Sequence, residues 1–509
     1  MLSCSRQAGT LDQGVTPTSI AGISQQLPDI SVLRSSSVLI GFSQSGIEAL
    51  YRDADALDEG SSLRLPAPGG STSWGVWGFN NGLLGASDCL VEFNGDSGAQ
   101  AYFAIANFVT GRWEAGGPLG GPQQTFAIGD PAYLSPLGNL YVAVIAWDAA
   151  SILVDSITLV VDQEPFSREL DNSGGWTSLA MVNSKPAISY YDDSTDDLKF
   201  VRATDLFGSS WGTPQILDET GDTGLYTSLH VVNGKPAIAY HDFTEKDLRF
   251  IIAQDENGTA WNSPITVDGS VSGTGEWCSL NIVANLPAIS YYDIDNSELR
   301  YARANDPNGE TWADPVSVDN SGNTGQESCL SIIGGLAMIS YRDGGAGEMR
   351  VIRSLDSIGA SWEPFVIVAS GNNTGFSSSL VEVDGFPALA YYDGTDSALI
   401  YQRATNVNGT IWDSAQTLDG AADDSGSYCS MALVGGLPLI TFHKGIEGDL
   451  RFVQSPDATG ISWTAPVLLD DSSVIVGKDG SLADVWGVGG VSYYDQTNGK
   501  LRYMWGFGV

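Results

Sequence analysis

The run Pro186-Ala187-Ile188-Ser189-Tyr190-Tyr191-Asp192 returns as Pro236-Ala237-Ile238-Ala239-Tyr240-His241-Asp242 and as Pro287-Ala288-Ile289-Ser290-Tyr291-Tyr292-Asp293. The series goes on through Tyr341-Arg342-Asp343, Tyr391-Tyr392-Asp393, Phe442-His443-Lys444 and Tyr493-Tyr494-Asp495, in steps of 50, 51, 50, 50, 51 and 51 residues. A fixed period of this length means that one supersecondary unit is repeated and that each unit buries its apolar faces against its neighbours.

Each copy reads as four short strands. An apolar run such as Ser228-Leu229-His230-Val231-Val232 ends at Asn233-Gly234, a pair that tolerates the positive φ of a tight hairpin. The Pro-Ala-Ile-Ser-Tyr run follows, then a strand such as Asp247-Leu248-Arg249-Phe250, then one that starts at a Trp, as in Trp211 to Asp218. Four strands per repeat without helical periodicity is the pattern of a β-propeller blade. The seventh copy stops after its third strand, at Leu501-Arg502-Tyr503, while Pro165-Phe166-Ser167-Arg168-Glu169-Leu170-Asp171, ahead of the first copy, matches a fourth strand. Pairing the two closes the ring and leaves no open sheet edge at the seam. The expected fold is all-β: a seven-bladed propeller over residues 164–509, closed by strand exchange.

Composition narrows the function. With 61 acidic and 23 basic side chains the chain carries a net charge of −38, which excludes a general nucleic-acid binder because a polyanion is repelled at long range. No window approaches the roughly 20 apolar residues of a membrane-spanning helix. Five cysteines, Cys4, Cys89, Cys278, Cys329 and Cys429, are too few and too scattered for a disulfide scaffold or a zinc site.

Between the third and fourth strands lies Asp205/Gly208/Trp211, which recurs as Asp255/Gly258/Trp261, Asp306/Gly309/Trp312, Asp356/Gly359/Trp362, Asn406/Gly409/Trp412 and Asp457/Gly460/Trp463. Physically, the Asp caps backbone N–H groups of a turn, the Gly takes a positive φ, and the Trp anchors the next strand. The motif resembles the Asp-box (BNR) repeat of sialidase-like propellers and covers six of the seven copies. In that family these turns lie on the face away from the active site, so the resemblance implies a structural role for them here.

Sialidases in that family use three arginines on the substrate carboxylate, a Tyr nucleophile with a Glu partner, and an acid. The arginines of this chain follow the repeat instead: Arg249, Arg300, Arg350, Arg451 and Arg502 share one position, and Arg202, Arg303, Arg353 and Arg403 lie near another. Within residues 164–509 only Arg168 and Arg342 stand outside, so no off-repeat triad exists there. A polysaccharide lyase, some of which resemble seven-bladed propellers and use His and Tyr, is the other enzyme reading; the three histidines are His230, His241 and His443.

Two variable positions map to the face that carries the loops between the second and third strands. Ahead of the first strand stand Trp176, Tyr226, Trp277, Glu327, Ser377, Tyr428 and Asp479; after the second stand Tyr191, His241, Tyr292, Arg342, Tyr392, His443 and Tyr494. Aromatic faces interspersed with acids suit stacking on sugar rings, and the same rings equally serve as wedges between blades. The acid clusters Asp192/Asp193/Asp196/Asp197 and Asp293/Asp295/Glu298 could hold calcium or be hydrated turns; no other metal or cofactor is expected.

The N-terminal third lacks the repeat. Residues 1–30 read as a polar tail, and residues 31–163 as a β-sandwich of jelly-roll type with strands such as Ser37 to Phe42 and Tyr141 to Ala146; its end resembles galactose-binding-like sandwiches in shape. Trp74, Trp77 and Trp113 are either core or a sugar platform. Met1-Leu2-Ser3-Cys4 resembles the tail of a bacterial lipoprotein signal. The expectation is an exported or surface-displayed protein, lipid-anchored through Cys4 or virion-associated, that binds glycan or protein without chemistry; the rivals are a glycan-cleaving enzyme and a structural surface or virion component.

Overall fold

The computed structural model describes residues 27–33, 43–45, 48–79, 88–95, 100–119, 122–128, 130–135, 139–160, 165–269, 273–371, 373–420 and 424–508. Cys4 and the strand expected from Ser37 to Phe42 lie outside these residues. Contacts divide the chain into two units, Met1–Glu164 and Pro165–Val509. Among the described residues, no helix is long and apolar enough to cross a membrane.

In the first unit, two long strands, Ser62–Phe79 and Leu140–Val160, pair antiparallel along their length, with register shifts between Pro66 and Thr72. Gln100–Asn107 flanks the first half of the longer strand and Asp88–Gly95 the second, so one nine-stranded sheet is bent in two. Phe103 and Phe126 stack at 4.0 Å from strands that are not hydrogen-bonded neighbours, which brings the halves together through apolar residues. Trp74 and Trp77 are buried, which settles them as core rather than platform, and the Trp113 indole donates to Pro28 O. Leu27, Ile30 and Leu33, on both sides of the residue-30 boundary, pack into the same core as Trp74.

In the second unit the described residues form seven four-stranded antiparallel sheets. Sheet 1 is Gly175–Val182, Lys185–Asp192, Asp197–Arg202 and Gln215–Asp218. Sheets 2 to 6 repeat it, with innermost strands Thr223–Val232, Thr274–Val283, Thr324–Ile333, Thr374–Val383 and Ser425–Val434. Sheet 7 is Lys478–Val485, Val488–Asp495 and Lys500–Phe507, with Phe166–Asp171 as its outer strand, Phe166 opposite Trp505 and Arg168 opposite Tyr503. Each innermost strand touches the next, and that of sheet 7 touches that of sheet 1. This closed circle of twisted sheets is a β-propeller.

The core lies between sheets. Val182, Ala187, Leu198 and Phe200 of sheet 1 pack on Leu229, Ile238, Tyr240 and Ile251 of sheet 2, and the pattern recurs around the ring. Tyr190, Tyr240, Tyr291, Tyr341, Tyr391, Phe442 and Tyr493 are fully buried. Their hydroxyls need partners there. Tyr240, Tyr291, Tyr341 and Tyr493 each donate to an Asp at the end of the preceding sheet's fourth strand, such as Asp268 for Tyr291. Arg300 joins that cluster, 2.8 Å from Asp268 and 3.5 Å from Asp293, and Arg249, Arg350, Arg502 and Lys199 do the same in their own sheets. In sheets 1 to 4 and 7 the Asp that ends the second strand therefore does more than cap a turn.

Candidate functional site

Every innermost strand shifts its register with the second strand near its start, as between Leu225 and Ser228. The residues at this bulge are Trp176, Tyr226, Trp277, Glu327, Ser377, Tyr428 and Asp479, which the sequence had placed just ahead of the strand. All seven hold φ between 47 and 55°, the left-handed region that bulky L-residues avoid at a cost on the order of 1 kcal/mol each. The backbone turn aims their side chains inward, and all seven line one cavity of about 240 Å³ at the mouth of the ring.

The next residue completes the wall and locks it. Thr227, Cys278, Ser328, Ser378 and Cys429 each donate a hydroxyl or thiol to the carbonyl of the bulge residue one sheet back, and Thr177 donates to Asp479 O across the seam. The seventh position is Gly480, which has nothing to donate. One residue further on, Ser178, Ser228, Ser279, Cys329, Ser379, Ser430 and Ser481 each accept the N–H of a Leu or Met in the next sheet. Cys278, Cys329 and Cys429 carry free thiols and stand in these rings in place of serine or threonine. Sequence reasoning missed both rings, although Thr-Ser, Cys-Ser, Ser-Cys or Ser-Ser after the variable position was the available signal.

The cavity wall is divided. Trp176, Tyr226 and Trp277 form an aromatic arc, with ring centroids 4.2 and 5.2 Å apart. Two acids flank this arc, Glu327 in sheet 4 beside Trp277 and Asp479 in sheet 7 beside Trp176, and Ser377 and Tyr428 complete the wall between them. The Glu327 carboxylate accepts the Ser377 N–H at 3.3 Å and that of Asp479 accepts the Trp176 N–H at 3.1 Å. Burial raises Glu327 to about 7, against the pull of the Ser377 N–H and Arg342, and raises Asp479 to about 6. Each keeps only the face that opens onto the cavity. Burial likewise pushes the Tyr428 phenol up to about 12 and the Cys278 and Cys429 thiols well up, so the thiols are not poised nucleophiles.

The second row of expected ligand-binding residues is not in this cavity. Tyr292, Arg342 and Tyr392 reach Asn323, Asn373 and Asp424, each just ahead of the next sheet's innermost strand, and Nδ1 of His241 and His443 donates to Thr274 O and Val476 O. Tyr191 donates to Asp196 and Tyr494 to Asp193. Their polar tips are engaged in clasping loops, while their faces pack behind the first row, as Tyr292 does on Trp277 at 5.7 Å. This position is a wedge between sheets. Burial holds His241, His443 and His230 below the usual imidazole value, and each hydrogen-bonds a backbone carbonyl with no carboxylate partner, which does not make the dyad of a general base.

At the opposite end of the sheets stand the Asp-Gly-Trp turns. Asp306 accepts from the N–H groups of Asn308, Glu310 and Thr311; Asp205, Asp255 and Asp356 do the same in their own turns, Asp457 caps Thr459, and Asn406 takes only that of Thr410. Gly208, Gly258, Gly309, Gly359, Gly409 and Gly460 hold φ between 64 and 78°, and their carbonyls accept the indole N–H of Trp211, Trp261, Trp312, Trp362, Trp412 and Trp463. Five of these indoles also meet an aromatic ring of the preceding sheet edge-on, as Trp312 meets Phe250 at 5.2 Å.

No arginine lines the cavity. Arg202, Arg303 and Arg403 donate to carbonyls of their own hairpins, Arg168 to Ser209 O, and Arg342 is buried over the Phe376 ring. Among the described residues, no group of three or more His, Cys, Asp or Glu side chains is arranged to hold a metal ion. In the acid clusters, Asp192 meets Lys199, Asp193 accepts from Tyr494, and Asp293 meets Arg300 and caps Asn296.

No family model matches this chain, and no curated protein does. Solved structures similar to it include the NanB sialidase of Streptococcus pneumoniae, at 12% identity and a TM-score of 0.39 over 84% of this chain and 96% of that one. The intramolecular trans-sialidase of Ruminococcus gnavus follows at 13% and 0.38, over 67% and 94%. YCF48 bound to D1 peptide stands at 12% and 0.45, over 67% and 96%. The propeller itself rests on the hydrogen-bonded topology given above.

Proposed function

We propose that the chain is an exported or surface-displayed recognition protein, a β-sandwich followed by a seven-bladed, strand-exchanged propeller with Asp-box turns, which binds a glycan through its central cavity without chemistry. One observation carries the reading. At the bulge the backbone is the same seven times while the side chain differs, and six of the seven residues are aromatic or acidic where glycine or asparagine would relieve the strain. A position that served only the fold would have converged on one residue, as the neighbouring Ser ring nearly has. Aromatic faces flanked by carboxylates fit the apolar C–H face and the hydroxyls of a sugar. Against hydrolysis of a sialoside, the cavity offers two carboxylates and no guanidinium to a substrate carboxylate. A glycan array with the intact protein, run beside an assay for reducing ends and unsaturated products, tests the reading. Binding without product release is expected, and Trp277→Ala is expected to weaken it at least tenfold; turnover, or unchanged binding by the variant, contradicts it.

A further inference from the structure

The cavity wall is polarised in a way that a neutral sugar does not require. The rings of Trp176, Tyr226 and Trp277 are consecutive around the ring, and the carboxylates of Glu327 and Asp479 flank the two ends of that arc. Among the described residues, each carboxylate accepts one backbone N–H, on Oε2 of Glu327 and Oδ2 of Asp479, and neither lies within ion-pair distance of a cation. One oxygen of each is left for whatever enters. Arg342, the guanidinium nearest in effect to Glu327, is spent on Gln326, Asn373 and the Phe376 face. The protein also places one cation on a ring of this wall: the Lys478 ammonium lies 5.7 Å from the Tyr428 ring centroid. A π-face attracts a cation more strongly when both are withdrawn from water, and a carboxylate at each end of the arc supplies the countercharge.

We propose that the cavity takes an organic ammonium group, the amine or trimethylammonium end of its ligand, seated against the aromatic arc and neutralised by Glu327 and Asp479. The inference rests on the reading of this cavity as the recognition site and adds the charge of the group recognised. With about 240 Å³, the cavity has room for the volume of about eight waters, enough for such a headgroup but not for a long oligosaccharide.

The two carboxylates ionise between mildly acidic and neutral pH, so capture is strongest above pH 7 and fades toward pH 5. The other charged or titratable groups around the opening do not reverse this. Cys278, Cys429, Tyr226 and Tyr428 are pushed upward and stay neutral, and Arg342 stays charged. His241 and His443, behind Tyr226 and Tyr428, are pushed downward and stay neutral above pH 6.5. Glu276, next to Trp277, is raised by burial and loses its charge in the same direction as the pair.

The test titrates the full chain with choline and with 3,3-dimethyl-1-butanol, which has the same shape and no charge, and with a panel of neutral monosaccharides. Choline is expected to bind at least tenfold tighter than the alcohol, to weaken at least tenfold between pH 8 and pH 5.5, and to lose this pH dependence in Glu327→Gln/Asp479→Asn. The amides keep the acceptors for the Ser377 and Trp176 N–H groups, and near-ultraviolet circular dichroism verifies that the variant is folded. Equal affinity for choline and the alcohol overturns the proposal, as does choline binding that survives the double substitution unchanged. Binding of neutral monosaccharides without choline overturns it and leaves the recognition reading standing; binding of none of the probes or array glycans removes both.

Discussion

At Glu327, burial and ionisation are set against each other, and the outcome is a stability that depends on pH. Its carboxyl rises from an ordinary 4.5 to about 7 in the folded chain because burial disfavours the charge. A carboxyl whose folded value is raised binds more protons folded than unfolded between those two values. Stability is therefore lost as pH rises from about 4.5 through 7, by on the order of 3 kcal/mol. Glu327→Gln removes the ionisation and keeps the acceptor for Ser377. Urea unfolding is expected to show the variant about 3 kcal/mol more stable than the parent at pH 8 and nearly equal to it at pH 4.5. Equal stability at both values would mean that the carboxylate is better solvated than its place in the cavity indicates.

At the scale of one sheet, each copy uses the same devices, and the copies that lack one make the predictions. Gly480 breaks the ring of side chains that bond the bulge carbonyl one sheet back. A Cβ there would sit 3.4 Å from Tyr428 O, close enough for a hydroxyl to supply the missing bond. Gly480→Ser is expected to stabilise by about 1 kcal/mol in thermal or urea unfolding. On the opposite face, Asn406 gives its turn one backbone acceptor contact where Asp306 gives three. Asn406→Asp is expected to stabilise by about 1 kcal/mol at pH 7, with no effect on ligand binding. The strand pattern was legible in the sequence because hairpin residues such as Asn233-Gly234 and the Tyr register are forced by local geometry and burial. The bulge was not, because left-handed backbone normally announces itself by Gly or Asn, and here Trp, Tyr and Glu occupy it. For the same reason Tyr191, His241 and Tyr292 were grouped with the cavity: their side-chain type does not tell a wedge from a lining, and only the shift of register between the strands separates the two rows.

On the scale of the whole ring, closure is what makes seven side chains converge on one cavity. The ring of hydroxyl and thiol acceptors runs without a gap from Ser178 to Ser481, and its last bond, Ser481 to the Leu179 N–H, spans the seam. The outer edge of that seam is held by Phe166–Asp171 against Lys500–Phe507, with Phe166 stacked on Trp505 and Arg502 near Glu169. The repeat period told of closure because an orphan fourth strand preceded the first copy. It was silent on the first unit, where the long paired strands Ser62–Phe79 and Leu140–Val160 repeat nothing. The direct measurement compares the thermal unfolding of a chain starting at Pro165 with one starting at Ser173, which differ only in the strand that joins the ends. Closure predicts that the shorter chain melts several degrees lower and loses the array binding of the longer one. Identical melting temperatures and identical binding would contradict it.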